Sequence, residues 1–131
     1  ITALSVFYDL TDPNKFLNDA KKILSNDGIL LLEFADLASI IEYKMFDTIC
    51  HEHLEYYSTQ VIINLCKKNN LRVFEIKKNR INGASKQFFI CHENSKFLND
   101  QRNINKILKT ERKLKLNEEK TYKKFIKDIN K

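Results

Sequence analysis

Asn26-Asp27-Gly28-Ile29-Leu30-Leu31-Leu32-Glu33-Phe34 is the stretch that decides the fold class. Four aliphatic side chains in succession, with no polar alternation, predict a strand buried on both faces, as in a parallel sheet. The glycine ahead of it reads as the left-handed stop of a helix. That helix begins at Pro13, a good first-turn residue, with Asp12 as its N-cap. Phe16, Leu17, Ala20, Ile23 and Leu24 are spaced for one apolar face. Upstream, Ile1 to Phe7 reads as a second buried strand, ending in the turn-like segment Asp9 to Asn14. Strand, helix and strand make a βαβ unit, whose crossover is almost always right-handed. Ligands of such sheets bind outside the carboxyl ends of the strands, here near Ser5 to Tyr8 and Glu33 to Asp36.

Downstream, Leu37 to Ser58 is a polar and aromatic connection with a helix expected around Leu37 to Lys44. Thr59 to Lys68 reads as a helix with Val61, Ile62, Leu65 and Cys66 inward. Leu71 to Ile76 and Lys86 to Cys91 read as two further strands, joined by a loop from Arg80 to Ser85 that contains Gly83. Two successive strands after βα units suggest an antiparallel edge pair closing the sheet. From Phe97 onward the chain reads as charged helix, either a hairpin or a long arm. Ile104, Ile107, Leu108 and Glu111 share one face there, and Tyr122, Phe125, Ile126 and Ile129 repeat the spacing. The expected division is residues 1–95 as an α/β unit and residues 96–131 as a helical connection.

The charge is unevenly placed. The last 36 residues carry 12 basic and 5 acidic side chains, whereas residues 1–95 carry 11 and 12. A solvated helix face is the bland account of that tail, and a nucleic-acid or acidic partner is the sharper one. The tail has no arginine cluster, so no nucleic acid is expected. Cys50, Cys66 and Cys91 lie far apart without a CxxC pair, which argues against a zinc ribbon and a disulfide scaffold. A reducing, cytoplasmic setting is the simplest expectation. No run of about 18 apolar residues exists to suggest a membrane span. The chain opens on Ile1 inside an apolar run, and we expect a fragment whose upstream part is missing.

The segment richest in chemistry is Phe46-Asp47-Thr48-Ile49-Cys50-His51-Glu52-His53-Leu54-Glu55-Tyr56-Tyr57-Ser58. It follows the second strand, on the side where the ligand crevice belongs. Histidine exchanges protons near neutral pH, and a neighbouring carboxylate or phenol orients and tunes it. A proton-abstraction site is one reading. Others are histidines that merely brace a loop, tyrosines that are core aromatics, and a metal site. The last is disfavoured because His51-Glu52-His53 is not HExxH.

This segment resembles the "FDTIYHEHxxYYS" signature of S-adenosylmethionine-dependent sugar C-methyltransferases. Ser5-Val6-Phe7-Tyr8-Asp9-Leu10 with Asp12-Pro13 resembles their fourth strand and the turn after it. Asp27-Gly28-Ile29-Leu30-Leu31-Leu32-Glu33 resembles the next helix stop and strand. Asn82-Gly83-Ala84-Ser85-Lys86 resembles their "GGS(L/F)R" segment, and Glu111 through Tyr122 and Phe125 the helical connection that follows. The resemblance spans essentially the whole chain.

It implies an α/β fold, a partial Rossmann-like class I methyltransferase sheet with a reversed final strand. The cofactor implied is S-adenosylmethionine, with Ser5 and Phe7 near its methionine part and no metal. The glycine-rich cofactor loop and the ribose-binding acid of the family have no counterpart here, nor do its zinc-binding N-terminal domain and the bulk of its C-terminal domain. The implied substrate is a nucleotide-linked keto-deoxysugar or similar ketone. By the same resemblance His53 is the general base, Glu52 orients or polarises the site, and His51 lies beside it. The tyrosine that precedes the two histidines in the family is Cys50 here. A thiol is shorter and a poorer donor than a phenol, so Tyr56 or Tyr57 could take that role on the substrate side. Rival expectations are a non-catalytic remnant and a basic interaction module. On the fragment reading the isolated chain is inactive alone, and the missing N-terminal half is a partner. Its unpaired apolar edge then favours aggregation or dimerisation.

Overall fold

The computed structural model describes residues 1–79 and 84–130. Among these residues four strands form one mixed sheet: β1 (Thr2–Leu4), β2 (Leu30–Ala35), β3 (Leu71–Asn79) and β4 (Ser85–His92). Their spatial order is β1-β2-β4-β3. β1 runs parallel to β2, with Ala3 opposite Leu32. β4 is antiparallel to both its neighbours, with Leu32 opposite Phe88 and Ile76 opposite Phe88 from the other side. The antiparallel pair expected from the two successive strands closes this side of the sheet. Within that pair β4 inserts between β2 and β3, and β3 is the strand at the edge. Burial explains the order, because Phe88 and Ile90 have almost no exposure, whereas β3 ends in the exposed Lys77 and Lys78.

Among the described residues five α-helices accompany the sheet: α1 (Pro13–Ile23), α2 (Leu37–Tyr43), α3 (Thr59–Lys68), α4 (Gln101–Leu114) and α5 (Glu119–Ile129). Their starts are legible one by one. Asp12 accepts from the Lys15 amide at 2.9 Å, Asp36 from the Ser39 amide at 3.2 Å and its hydroxyl at 2.8 Å, and Asp100 from the Asn103 amide at 3.2 Å. Each such side chain satisfies an amide that the first helical turn leaves orphaned. The tail resolves into two helices turned at Lys115, whose φ of 56° closes α4 in the left-handed region.

One core gathers Leu17 and Ala20 of α1, Leu30, Leu32 and Phe34 of β2, Ile62 and Cys66 of α3, Phe88 and Ile90 of β4, and Ile104 and Ile107 of α4. Burying a side chain of this size contributes about 1.5–3 kcal/mol. A second small cluster joins Ala35, Ile40 and Phe125, with Ile41, Met45, Tyr56 and Ile129 against it. It seats α5 on α2 and on the segment that follows α2.

Several expectations need correction. The first strand is three residues long, and Ser5 leaves it with φ of 55°, so Phe7–Asp9 forms a 3-10 turn instead. Nor is that strand buried, since Ile1 and Leu4 are 45% and 52% exposed. Ile23 and Val61 point outward, because each lies at the margin of its helix's apolar stripe. α1 stops at Ile23 through an extended Leu24. Gly28 is required by space there: a Cβ would lie 2.7 Å from Leu24 Cδ1 and 2.9 Å from the Ser25 carbonyl. β3 and β4 run longer than read. Of the loop expected from Arg80 to Ser85, residues 80–83, Gly83 among them, lie outside the described residues.

Candidate functional site

The site segment is anchored at both ends by backbone chemistry. α2 ends at Lys44, whose φ of 56° turns the chain back, and a 3-10 turn at Phe46–Thr48 follows. Further on, the amides of Leu54 and Glu55 both donate to the Tyr8 carbonyl, at 3.0 and 3.1 Å. The segment therefore lies over the 3-10 turn after β1. Ser58 caps α3, accepting from the Val61 amide at 3.4 Å.

His53 is the histidine of the pair that turns inward. Its ring lies 4.1 Å from the Tyr8 ring and 5.8 Å from that of Tyr56. Its Nδ1 is buried and has no hydrogen-bond partner. Tyr8 in turn meets Phe34 edge-on at 6.4 Å, which ties the imidazole to the carboxyl end of β2. His51 and Glu52 are exposed, and Cys50 is half-buried with a free thiol. The structure thus does not gather His51, Glu52 and His53 into one cluster.

The two tyrosines divide sharply. The Tyr56 hydroxyl accepts from the Cys50 amide at 3.1 Å and donates to the Thr48 carbonyl at 3.3 Å. It braces the turn that carries the histidines. The Tyr57 ring is 5% exposed, packed 5.2 Å from Phe7 and 5.8 Å from Phe34. Its hydroxyl has no partner. Burial, and to a lesser extent the Glu55 carboxylate, push its pKa up to about 12.

Of the residues expected near a cofactor, Ser5 is half-buried at the tip of β1, its amide donating to the Glu33 carbonyl at 2.8 Å. Phe7 has no exposed surface and packs against Phe16, Phe34 and Tyr57. Exposed Leu4 and Val6 flank Ser5.

Sequence reading missed the most charged feature beneath the site. Lys86 at the start of β4 is 1% exposed. Its ammonium lies 2.8 Å from Asp36 Oδ1 and 2.7 Å from Glu111 Oε1, and donates to Thr59 Oγ1 at 2.8 Å. The Thr59 amide also donates to Glu111 Oε1 at 2.9 Å. One lysine thus joins the first residue of α3, the cap of α2 and the inner face of α4. The signal was present: Glu111 sits on an apolar helix face, and a buried carboxylate demands a buried partner. Glu33, 5% exposed at the tip of β2, was also missed; the Gln87 side chain donates to it.

No group of three or more His, Cys, Asp or Glu side chains among the described residues could hold a metal ion. No helix among them is long and apolar enough to cross a membrane. An apolar hollow of about 510 Å³ adjoins the site segment, lined by Ile49, Leu54 and Tyr56 together with α2 and α5.

Set against known proteins, residues along 60% of this chain align with the C-methyltransferase NovU of Streptomyces niveus, 30% identical over 79 residues. The chain is similar to a methyltransferase. The aligned part covers 19% of that enzyme's length. No family model matches the chain. The similarity supports a relationship to methyltransferases, and the mixed α/β sheet with its reversed strand is compatible with part of such a fold.

Proposed function

We propose that the protein carrying this chain is an S-adenosylmethionine-dependent C-methyltransferase that methylates the carbon beside a ketone, on a nucleotide-linked keto-deoxysugar or a similar substrate. The similarity to NovU supports methyl transfer in general. The observation that carries the mechanism is the inward turn of His53 onto Tyr8, at the strand ends where ligands of such sheets bind.

In this reading His53 removes the acidic proton alpha to the carbonyl. Its ring is held by aromatic contacts on two sides, which fixes the direction in which it can accept a proton. Glu52, exposed beside it, acts on the substrate side, as do Cys50 and Tyr56, with His51 at the rim. The described residues fit one wall of a cofactor cleft: Ser5, at a left-handed bend between exposed Leu4 and Val6, offers a hydroxyl and an apolar shelf at the tip of β1. Phe7 supports that wall from behind through its core contacts. S-adenosylmethionine would supply an electrophilic methyl group there.

The test is His53→Asn in the full-length protein, assayed by transfer of labelled methyl to a nucleotide-linked keto-deoxysugar. General-base catalysis is worth roughly 10²- to 10⁴-fold, so kcat falls by that factor while cofactor affinity holds. Normal turnover by the variant removes His53 as the base.

A second reading, a basic interaction module, is supported by one feature. Lys44, Lys113, Lys115, Lys120 and Lys124 line a hollow of about 620 Å³. Several of these lysines stand at the carboxyl ends of α2 and α4, where helix carbonyls already favour cations. Binding of an acidic polymer that weakens steeply with salt would favour this module.

A further inference from the structure

We propose that Tyr56 is the positioning residue for His53, its hydroxyl holding the histidine turn in the shape that sets the imidazole against Tyr8; this role rests on the methyl-transfer reading above. Among the described residues, the backbone of residues 50–53 makes no hydrogen bond except to this hydroxyl. The Cys50 amide donates to it at 3.1 Å. The hydroxyl donates in turn to the Thr48 carbonyl at 3.3 Å, with the Cys50 carbonyl 3.5 Å away. The next fixed points downstream are the Leu54 and Glu55 amides on the Tyr8 carbonyl. His51-Glu52-His53 is therefore suspended between one phenol oxygen and one backbone carbonyl.

The phenol is itself held from outside the turn. Its ring packs against the small cluster of Ala35, Ile40 and Phe125, so α2, β2 and α5 fix where the hydroxyl stands. The same ring meets the imidazole edge-on at 5.8 Å, while the Tyr8 ring lies 4.1 Å from it. The hydroxyl's single proton is spent on the turn, so Tyr56 acts on proton removal through the backbone that carries His53. Displacing a reacting group by about 1 Å costs on the order of 10²-fold in rate. Without this one oxygen, no other hydrogen bond of residues 50–53 opposes such a displacement.

Tyr56→Phe in the full-length protein tests this with two readouts, beside Tyr122→Phe as the control. The Tyr122 hydroxyl donates to the Leu116 carbonyl, so the control loses one tyrosine hydrogen bond without touching the histidine turn. The first readout is the proton resonance of the His53 ring in ligand-free protein, which the ring current of the adjacent Tyr8 displaces. Tyr56→Phe returns it toward the position of the exposed His51, and Tyr122→Phe leaves it in place. The second is methyl transfer to a nucleotide-linked keto-deoxysugar. There kcat of Tyr56→Phe falls on the order of 10²-fold with KM nearly constant, while Tyr122→Phe keeps the wild-type rate. An unmoved His53 resonance in Tyr56→Phe, a kcat close to wild type, or an equal loss in both variants overturns the proposal. Wild-type protein that shows the displaced resonance but transfers no methyl overturns the methyl-transfer reading, and this role with it.

Discussion

Lys86→Met should be among the most damaging single changes in this protein, although it leaves no cavity. The ammonium serves three oxygens at 2.7–2.8 Å, from Asp36, Glu111 and Thr59, in a region about 1–6% exposed. Methionine fills nearly the same volume, so packing is preserved and the loss is electrostatic. Two carboxylates are then stranded together without a counter-charge. Breaking a buried pair by removing one partner costs about 3–5 kcal/mol. At about 4 °C per kcal/mol for a chain of this size, melting falls by about 12–20 °C. The cluster is asymmetric, with two carboxylates for one ammonium, so removing an acid does less harm. Glu111→Gln keeps an oxygen for Lys86 and for the Thr59 amide, and should cost about 1–2 kcal/mol. Urea unfolding followed by circular dichroism measures both. A Lys86→Met cost below about 1 kcal/mol, or equal costs for the two variants, would refute the assignment of this cluster as a lock.

Alkali should weaken the fold in steps. Burial raises the Cys66 thiol from 9.0 to about 12 and the Tyr57 phenol from 10.0 to about 12. Both folded values exceed the unfolded ones, so this stability is complete below pH 9 and is lost as pH rises toward 12. Each group contributes a slope of about 1.4 kcal/mol per pH unit. Cys66→Ala should flatten the decline that starts near pH 9, and an unchanged slope in denaturant titrations would disprove the account. At the other edge of the sheet, β1 pairs on one side only, while Ile1, Leu4 and Val6 are 45–52% exposed. The 131-residue chain should therefore self-associate, and Leu4→Lys with Val6→Lys should suppress this. Sedimentation showing a monomer at high concentration before any substitution contradicts that expectation.

What was legible in the sequence followed from local rules. Asp12 before Pro13, and the apolar run from Ile29 to Leu32, gave α1 and β2 through capping and unbroken burial. Thr59–Lys68 was read to the residue because a serine cap, an apolar stripe and terminal lysines all agree there. The misreadings were matters of partnership. Both Leu71 to Ile76 and Lys86 to Cys91 are apolar runs, so neither names β2 as its partner, and the exposed Lys77 and Lys78 are what mark β3 as the outer strand. Ile1 to Phe7 looks uniformly apolar, yet its partners cover one flank and Ser5 bends it early. In the site, the pairing of two histidines with a glutamate suggested one cluster. The backbone, held by the Tyr8 carbonyl, turns only His53 inward. Lys86 looked like an ordinary polar residue because its two acids come from 50 residues before and 25 after it.

The reversed central strand dictates an order of assembly. β3 and β4 are neighbours in sequence and pair as a hairpin, a contact that forms quickly. β2 must wait for a strand fifty to sixty residues further along, Ala35 for Ser85 and Leu30 for Ile90. Everything between, including the bend that carries His53, is a loop closed by that late event, at an entropic cost that grows with its length. On a ribosome the imidazole has no fixed surroundings until β4 has left the exit tunnel and zipped into place.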